Sequence, residues 1–344
     1  MAIKIGVVTT GGTIGSILGD SAISVDPSEE GVKKEIEAVV KRRGAELELV
    51  SAFNKNSEDL DVADWHELAV AIEDLLERDI KRIVVTHGTD TLAYSAAAIA
   101  ALFGKRDCRI CITGSYLAPS AAKSDAALSI SAAVESVASD SLQSGVFVAF
   151  RSNGKNRDAM IMPALSLKPM DFDAPAYSSA YDEVLATYSQ KNGLNVQADI
   201  SSHSDVPFNS SSIPTRQALS QASSKVALVQ LYPSIDRKAL EGISAGREIL
   251  ILDPYHSGTG PGHENSELLA FLKAKPDSLK VILGQFPLRF IPTPYASTVA
   301  IRNAGSYIVK DLQTPTLFAW AVIALAMGQS AHEFSQSLEE VTVK

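Results

Sequence analysis

Two short stretches of the sequence place hydroxyl groups beside glycine directly after an apolar run. Residues 9–14 read TTGGTI, and residues 86–91 read THGTDT. A threonine hydroxyl can act as a nucleophile where a neighbouring group lowers the cost of removing its proton. A carboxylate beside a hydroxyl can bind an ammonium group or orient a proton relay. The sequence therefore offers Thr13 as a candidate nucleophile, and Thr89 and Asp90 as a hydroxyl–acid pair.

Each stretch taken alone also has a structural interpretation. Thr13 could satisfy a backbone donor within a loop. Either Thr89 or Asp90 could cap a helix, because a side-chain oxygen just before a helix accepts a hydrogen bond from a free backbone N–H. At the level of the single motif, both interpretations stay open.

The residues around these stretches predict how they are held. Residues 83–85 are β-branched and apolar, which is typical of a buried parallel strand, and residues 92–102 are rich in alanine, which favours a helix. Gly11 and Gly12 allow backbone conformations that are closed to other residues. Open α/β sheets bind ligands beyond the carboxyl ends of their strands. We therefore expect the two stretches to meet at one edge of a sheet.

The order of apolar and amphipathic segments predicts the fold class. Strand and helix patterns alternate four times before residue 150, which indicates an α/β fold with a doubly wound, mainly parallel sheet. Residues 16–27 are predicted to form a loop or hairpin, and prolines make residues 153–188 less regular. We predict a larger N-terminal domain at residues 1–198, a serine-rich linker at 199–224 and a smaller C-terminal α/β domain at 225–344.

Composition excludes several classes of function. The formal net charge of −9 argues against a nucleic-acid binder, which needs clustered lysine and arginine. The longest apolar stretch, residues 317–327, is too short to span a bilayer, so no membrane partner is expected. The N-terminus runs directly into a predicted strand without a leader-like segment, which favours a cytoplasmic location.

The cysteines and histidines give no sign of a metal or cofactor. Cys108 and Cys111 are the two cysteines, and on a strand they would point to opposite faces, so a disulfide between them is not expected. Their C-x-x-C spacing could indicate redox or zinc chemistry, but no partner cysteine or histidine lies nearby. The six histidines are scattered, and no nucleotide-binding glycine pattern precedes a helix. We expect neither a metal nor a cofactor.

Together the two stretches are far more specific than either alone. Residues 10–14 and 86–91 strongly resemble the two signature sequences of the bacterial-type asparaginase/glutaminase family, in the same order and at a similar separation. The resemblance extends over most of the chain and is clear in the first domain. It implies an amidohydrolase with a large and a small α/β domain and a small amino-acid-like substrate. It also implies a homodimer or homotetramer.

The resemblance implies a role for each candidate residue. Thr13 resembles the nucleophile that attacks the side-chain amide, and Thr89 the second catalytic threonine. Asp90 resembles the group that holds the α-ammonium of the substrate. The residues that resemble further substrate-binding positions are Gly12, Gly88, the Ser57–Glu58 pair and Ser115 after Gly114. His87 occupies a position that is structural in the family.

The sequence departs from the family pattern at three places. Residues 15–26 lack the tyrosine of the family's proton relay, residues 159–162 are apolar where the family has a lysine, and residues 294–302 contain no acid. Side chains that could substitute for them are Tyr116, Tyr255, His256, Tyr295 and Arg302. The residues after Tyr255 read HSGTG, which could border a site or form a structural turn.

The leading hypothesis is hydrolysis of the side-chain amide of asparagine or a related molecule through Thr13. One alternative is altered chemistry or substrate on the same scaffold, as in a specialised amidase or an elimination or transfer enzyme. Another is a relative that binds its ligand without catalysis. Turnover of asparagine or glutamine that disappears in Thr13→Ala would distinguish the first from the last.

Overall fold

The computed structural model describes residues 3–18, 23–153, 158–171, 173–197, 212–287 and 292–342. The chain divides into two compact units, Met1–Ser204 and Asp205–Lys344. Within the predicted linker, residues 199–211 lie outside the described residues, and Arg216–Ser223 form a helix. Thr215 caps this helix by accepting a hydrogen bond from the backbone N–H of Ala218, so this part of the serine-rich stretch is not an extended linker.

The first unit alternates strands and helices and then ends in strands. Its strands are β1 (Lys4–Gly11), β2 (Ser16–Leu18), β3 (Ile23–Val25), β4 (Glu46–Lys55), β5 (Arg82–Thr86), β6 (Arg109–Thr113), β7 (Gly145–Arg151), β8 (Asp158–Pro163), β9 (Ala186–Ser189) and β10 (Gly193–Val196). Its α-helices are α1 (Glu30–Arg43), α2 (Asp64–Glu77), α3 (Leu92–Phe103) and α4 (Ala126–Ala138). Short 3-10 helices lie at Thr13–Gly15, Ser57–Asp59, Ala164–Ser166 and Ala180–Asp182.

The main sheet has the order β10-β9-β8-β7-β6-β5-β1-β4. Five adjacent strands pair in parallel, in the order β4, β1, β5, β6 and β7. Strands β8, β9 and β10 then extend the sheet beyond β7 by antiparallel pairing. The chain leaves β1 toward β4 on one side and returns to β5 on the other, so the strand order reverses at β1. This is the switch point at which doubly wound sheets bind ligands. The predicted fold class is confirmed.

The two faces of this sheet are covered by different helices. Ile5 and Val7 of β1 belong to a core cluster with residues of α1 and α4. Between them, Gly6 faces the other way, because a Cβ atom there would lie 2.7 Å from Leu75 of α2. Helix α3 packs against α2 on that second face.

This arrangement gives one crossover an unusual hand. The connections through α3 and α4 step in the same direction along the sheet but lie on opposite faces, so they have opposite hands. The connections through α1, α2 and α3 share one hand. Since parallel crossovers are almost always right-handed, the β6–α4–β7 connection is the left-handed one. Its first residues include Ser115, a candidate site residue.

The second unit is a smaller parallel α/β domain, as predicted. Its sheet has the order β11-β12-β13-β14, formed by Val226–Gln230, Ile249–Asp253, Lys280–Phe286 and Ser306–Lys310. Its helices are α5 (Arg216–Ser223), α6 (Arg237–Ser244), α7 (Glu267–Ala274), α8 (Ala296–Asn303), α9 (Thr314–Ala326) and α10 (Ala331–Thr342). Side chains of Asp236 and Ser266 cap α6 and α7.

Several local predictions differ from the structure. Thr91, rather than Thr89 or Asp90, is the residue before α3, and its side chain makes no capping bond. Residues 153–188, predicted to be less regular, contain the strand β8, which pairs with β7. Other local predictions agree with the structure. Residues 16–18 and 23–25 form the hairpin that was one of two predicted alternatives. Both cysteines are free and buried. No helix within the described ranges is long and apolar enough to cross a membrane.

Candidate active site

The two hydroxyl-rich turns touch each other at Gly12 and Gly88. They follow the neighbouring parallel strands β1 and β5, which pair Thr9 with Thr86. A Cβ atom added to Gly12 would lie 2.1 Å from the Cα atom of Gly88, and Gly12 has a φ of +74°. Both facts require glycine at this position, since a side chain would clash and would strain the backbone. The two turns are therefore in backbone contact, although Gly12 and Gly88 are 76 residues apart in sequence.

A third turn joins them through Ser57. This residue follows β4, the other neighbour of β1, and a Cβ atom on Gly88 would lie 2.6 Å from its hydroxyl oxygen. The Ser57 hydroxyl accepts a hydrogen bond from the backbone N–H of Asp90 at 3.1 Å and contacts the Asp90 carboxylate at 3.4 Å. The Thr91 hydroxyl donates to the Ser57 carbonyl at 2.8 Å. The carboxylate of Asp90 is thus held from one side, while the residue as a whole is exposed.

The threonines of the two turns differ in how deeply they are buried. The Thr10 hydroxyl is buried and donates to the carbonyl of Thr86 at 2.8 Å, which ties the first turn to the second. Thr13 begins a short 3-10 helix and is partly exposed, as is Thr89. The two threonines with predicted catalytic roles are therefore less buried than Thr10.

The turn after β6 completes the edge. A Cβ atom on Gly114 would lie 2.7 Å from the carbonyl oxygen of His87, and the His87 N–H donates to the Thr113 carbonyl at 2.8 Å. Ser115 follows directly and is fully buried, and its hydroxyl has no hydrogen-bond partner among the residues that the structure describes. Glu58 lies on the exposed side of the Ser57 turn. The predicted residues thus lie on turns after four neighbouring strands.

His87 is a buried, neutral part of the second turn. Its Nδ1 lies 2.7 Å from the carbonyl oxygen of Gly88, and since a carbonyl only accepts, Nδ1 carries the proton. Burial lowers the pKa of His87 to about 4, and the bond to Gly88 offsets only part of this effect. A neutral, enclosed imidazole agrees with the structural role expected for it.

Tyr177 is a residue at this site that the sequence did not reveal. It is 2% exposed, and its hydroxyl donates to the carbonyl oxygen of Thr89. Its ring packs edge-on against Phe150 at the end of β7, with 4.9 Å between the ring centroids. Burial and the negative charge of Asp90 both raise the pKa of Tyr177 far above its usual range. The sequence carries no signal for this residue, because it lies outside any regular element.

The segment in which the resemblance leads one to expect a lysine is a strand instead. In β8, the side chains of Ala159, Ile161 and Met162 are fully buried in the core. Of the suggested substitutes, Tyr116 is 46% exposed in the β6–α4 connection, where its backbone N–H donates to Asp125. The other four suggested residues belong to the second unit. No three histidine, cysteine, aspartate or glutamate side chains among the described residues could hold a metal ion together.

The first unit has a doubly wound sheet with four turns at its switch point, and the second unit is a smaller parallel α/β domain. This is the architecture of an asparaginase-type protein. The N-terminal asparaginase domain ("Asparaginase, N-terminal") matches residues 4–201, so this chain belongs to the asparaginase family.

Known proteins resemble the chain at two levels. A glutamyl-tRNA(Gln) amidotransferase component from Nanoarchaeum equitans is 29% identical over 277 residues, which cover 78% of this chain and 65% of that protein. Its counterpart from Methanococcus vannielii is 27% identical over 320 residues, covering 92% and 72%. The L-asparaginase of Thermococcus kodakarensis superposes with a TM-score of 0.75 at 21% identity, over 98% of this chain and 97% of that one. This structural likeness concerns the fold alone.

Proposed function

We propose that the protein is an amidohydrolase that cleaves the side-chain amide of asparagine or a related small amino-acid-like molecule, with Thr13 as the nucleophile. The observation that supports this proposal is the contact of three turns. Gly12, next to Thr13, touches Gly88, next to Thr89, and Ser57 packs on Gly88 and hydrogen-bonds Asp90. Two partly exposed threonines and one exposed aspartate thus lie on touching turns at the same edge of the sheet.

In this mechanism the Thr13 hydroxyl oxygen attacks the carbonyl carbon of the amide. Its proton passes to the amide nitrogen, with Thr89 orienting the transfer, and ammonia leaves as the carbon–nitrogen bond breaks. The product of this half-reaction is an ester between Thr13 and the acyl group. Water then attacks the ester carbonyl, so that the acid is released and the Thr13 hydroxyl regains its proton.

The remaining residues of the site would bind the charged end and the amide of the substrate. The carboxylates of the exposed residues Asp90 and Glu58 are suited to an α-ammonium group, and the Ser57 hydroxyl to the α-carboxylate. Ser115 offers a buried hydroxyl that lacks a partner within the described ranges, so that a substrate amide or a water molecule would satisfy it. Gly12 and Gly88, whose missing side chains let the turns touch, would offer backbone groups to the substrate. The proposal includes no metal and no cofactor.

The oligomeric state and the fate of the released ammonia are further parts of the proposal. Its curated relatives are named as components of an amidotransferase, and the chain covers 65% and 72% of their lengths. We propose that the chain forms a homodimer or homotetramer. The ammonia released by a reaction at Thr13 could either leave the protein or be delivered to a second reaction.

A second candidate function is ligand binding without turnover. It is favoured by the buried, apolar side chains of β8 in the segment where a relay lysine was expected from the resemblance. General-base assistance is typically worth about 10²–10⁴-fold in rate, so its loss would leave a binding protein with little activity.

Ammonia release from L-asparagine and L-glutamine tests the proposal. We expect turnover of at least one amide by the wild type, and a loss of about a thousandfold or more in Thr13→Ala, because the ester cannot form without the hydroxyl. Thr187→Ala on β9 is the matched control and should keep full activity. Equal activity in Thr13→Ala would contradict the role of Thr13, and binding of L-aspartate without any turnover would favour the second candidate.

A further inference from the structure

The hydroxyl of Tyr177 reaches the second turn from a distant part of the chain. It donates to the carbonyl oxygen of Thr89, which is 88 residues away in sequence. Neither the reaction outlined above nor the sequence pattern assigns this residue a role. A tyrosine hydroxyl that is buried and bonded directly to the main chain between two site residues needs an explanation.

The loop that carries Tyr177 is fixed on both sides. The backbone N–H of Lys168 donates to the carbonyl of Ser178 at 2.9 Å, and Leu167 and Ser179 form an antiparallel bridge. The rings of Tyr177 and Phe150 are nearly perpendicular, with 4.9 Å between their centroids, and the backbone of Phe150 is held within β7. The hydroxyl is therefore presented to Thr89 by a well-packed frame, as a positioning group requires.

The other hydrogen bonds that hold the second turn act outside the Thr89–Asp90 peptide. The His87 N–H donates to the Thr113 carbonyl and the Thr91 hydroxyl to the Ser57 carbonyl, while Asp90 is exposed. Ser57 holds the backbone N–H of Asp90 from one side, and Tyr177 holds the carbonyl of Thr89. These two bonds lie on the two sides of one peptide unit, the one that joins Thr89 to Asp90, and together they fix its orientation.

The chemistry of Tyr177 favours positioning over proton transfer. Burial and the charge of Asp90 both raise its pKa, so the phenol stays protonated and remains a hydrogen-bond donor. A group that keeps its proton cannot serve as the base that activates Thr13.

We propose that Tyr177 is a positioning residue of the candidate site, which orients the Thr89–Asp90 peptide and thereby aims the Asp90 carboxylate at the substrate's ammonium group. This inference rests on the proposed function, because it assumes that Asp90 binds the ligand. It gives the second turn a polar support that the apolar strand β8 does not supply.

Binding of L-aspartate, measured by calorimetry, tests the inference in a double-mutant cycle. Tyr177→Phe removes the hydroxyl and keeps the ring on Phe150. We expect affinity for L-aspartate to fall about tenfold, which corresponds to the net value of about one hydrogen bond. In an Asp90→Asn background the same change should have little further effect, since the residue that it aims is already altered. Tyr188→Phe on β9 is the matched control and should bind as the wild type does.

A purely structural role would give a different result. It would lower the melting temperature while leaving affinity at 25 °C unchanged, or it would weaken binding equally with Asp90 and with Asn at that position. Either result overturns the inference, as would an equal loss in Tyr188→Phe. A wild type that binds L-aspartate but releases no ammonia would contradict only the proposed hydrolysis, and the cycle could still be read. A wild type that binds no L-aspartate overturns both.

Discussion

Gly88 is the residue on which the closeness of the three turns depends most directly. Its backbone is not in the left-handed region, so a substitution to alanine adds a methyl group without backbone strain. That methyl carbon would lie 2.6 Å from the Ser57 hydroxyl oxygen and 2.9 Å from the Cα atom of Gly12. At least one turn must move to make room.

We therefore expect Gly88→Ala to lower kcat/KM about 100-fold or more, because displacing a catalytic group by about 1 Å has an effect of that size. The free energy of unfolding should fall by about 1–3 kcal/mol, which is typical of overpacking. Steady-state kinetics and urea unfolding measure both quantities.

Gly242→Ala is the control for this change. Gly242 is exposed on α6, and a Cβ atom there meets nothing within 4 Å. Alanine should leave activity unchanged and stabilise the helix by up to about 1 kcal/mol. Full activity in Gly88→Ala would show that the contact between the turns is unimportant for the site.

At this scale the sequence indicated most of the residues that we propose for the site, but not Tyr177. Thr13, Thr89 and Asp90 lie in short motifs with glycine, and their turns can be placed from the strands before them. Tyr177 has no such context. It reaches Thr89 only through the folded loop, and nothing local in the sequence distinguishes it from an ordinary core aromatic.

Helices α2 and α3 are joined by a hydrogen bond that positions the start of α3. The indole N–H of Trp65 in α2 donates to the hydroxyl of Ser95 in α3 at 3.2 Å, and both residues are buried. Helix α3 begins directly after the turn that carries Thr89 and Asp90. The bond between the helices therefore lies one turn of helix away from the candidate site.

We expect Ser95→Ala to reduce the free energy of unfolding by about 1–3 kcal/mol, because the buried indole N–H loses its partner. Ser136→Ala in α4 is a matched change, since that hydroxyl is also buried but bonds the carbonyl of Ala132 in its own helix. Its cost should stay below about 1 kcal/mol. Chemical unfolding of the two variants compares them, and equal costs would argue against the bond between the helices.

The elements that sequence patterns predicted well are those with their own periodicity. Strands β1, β5, β6 and β7 and helices α2 and α3 combine a clear pattern with clear ends. Strand β8 was missed because pairing with β7 creates it, and α5 was missed because its serines resemble a linker. The hydrophobic periodicity of α4 predicts a helix but not which face of the sheet it covers, so the left-handed crossover could not be predicted.

At the scale of the whole molecule, His87 links stability to pH. Its pKa is lowered from 6.5 to about 4 by burial in the folded protein. Between these pH values the unfolded chain binds a proton that the folded chain does not. The stabilising effect of the neutral imidazole is therefore complete above pH 6.5 and is lost as the pH falls toward 4.

The wild type should consequently lose up to about 3 kcal/mol of unfolding free energy through this residue between pH 6.5 and pH 4. His87→Asn is expected to be less stable at pH 7 and to show a flatter pH dependence. Exposed His256→Asn serves as the control and should keep the slope of the wild type. Urea unfolding at several pH values measures the slopes, and identical slopes for all three proteins would contradict this assignment.

The division of the chain follows from composition and alternation, but its details do not. Two α/β units and a larger N-terminal sheet could be inferred from repeated strand–helix patterns. Of the antiparallel strands that extend that sheet, β8 and β10 pair with the strands just before them in sequence. The pairing of β8 with β9 spans residues 164–185, and no local pattern indicates it.

The most direct measurement of the central claim is a crystal structure of the protein with L-aspartate, the product of the proposed reaction. We predict that its side-chain carboxylate lies within about 3.5 Å of the hydroxyls of Thr13 and Thr89, a hydrogen-bonding distance. Its α-ammonium group should contact the Asp90 carboxylate. Aspartate bound away from these three residues, or hydroxyls of Thr13 and Thr89 that face apart with protein between them, would contradict the claim.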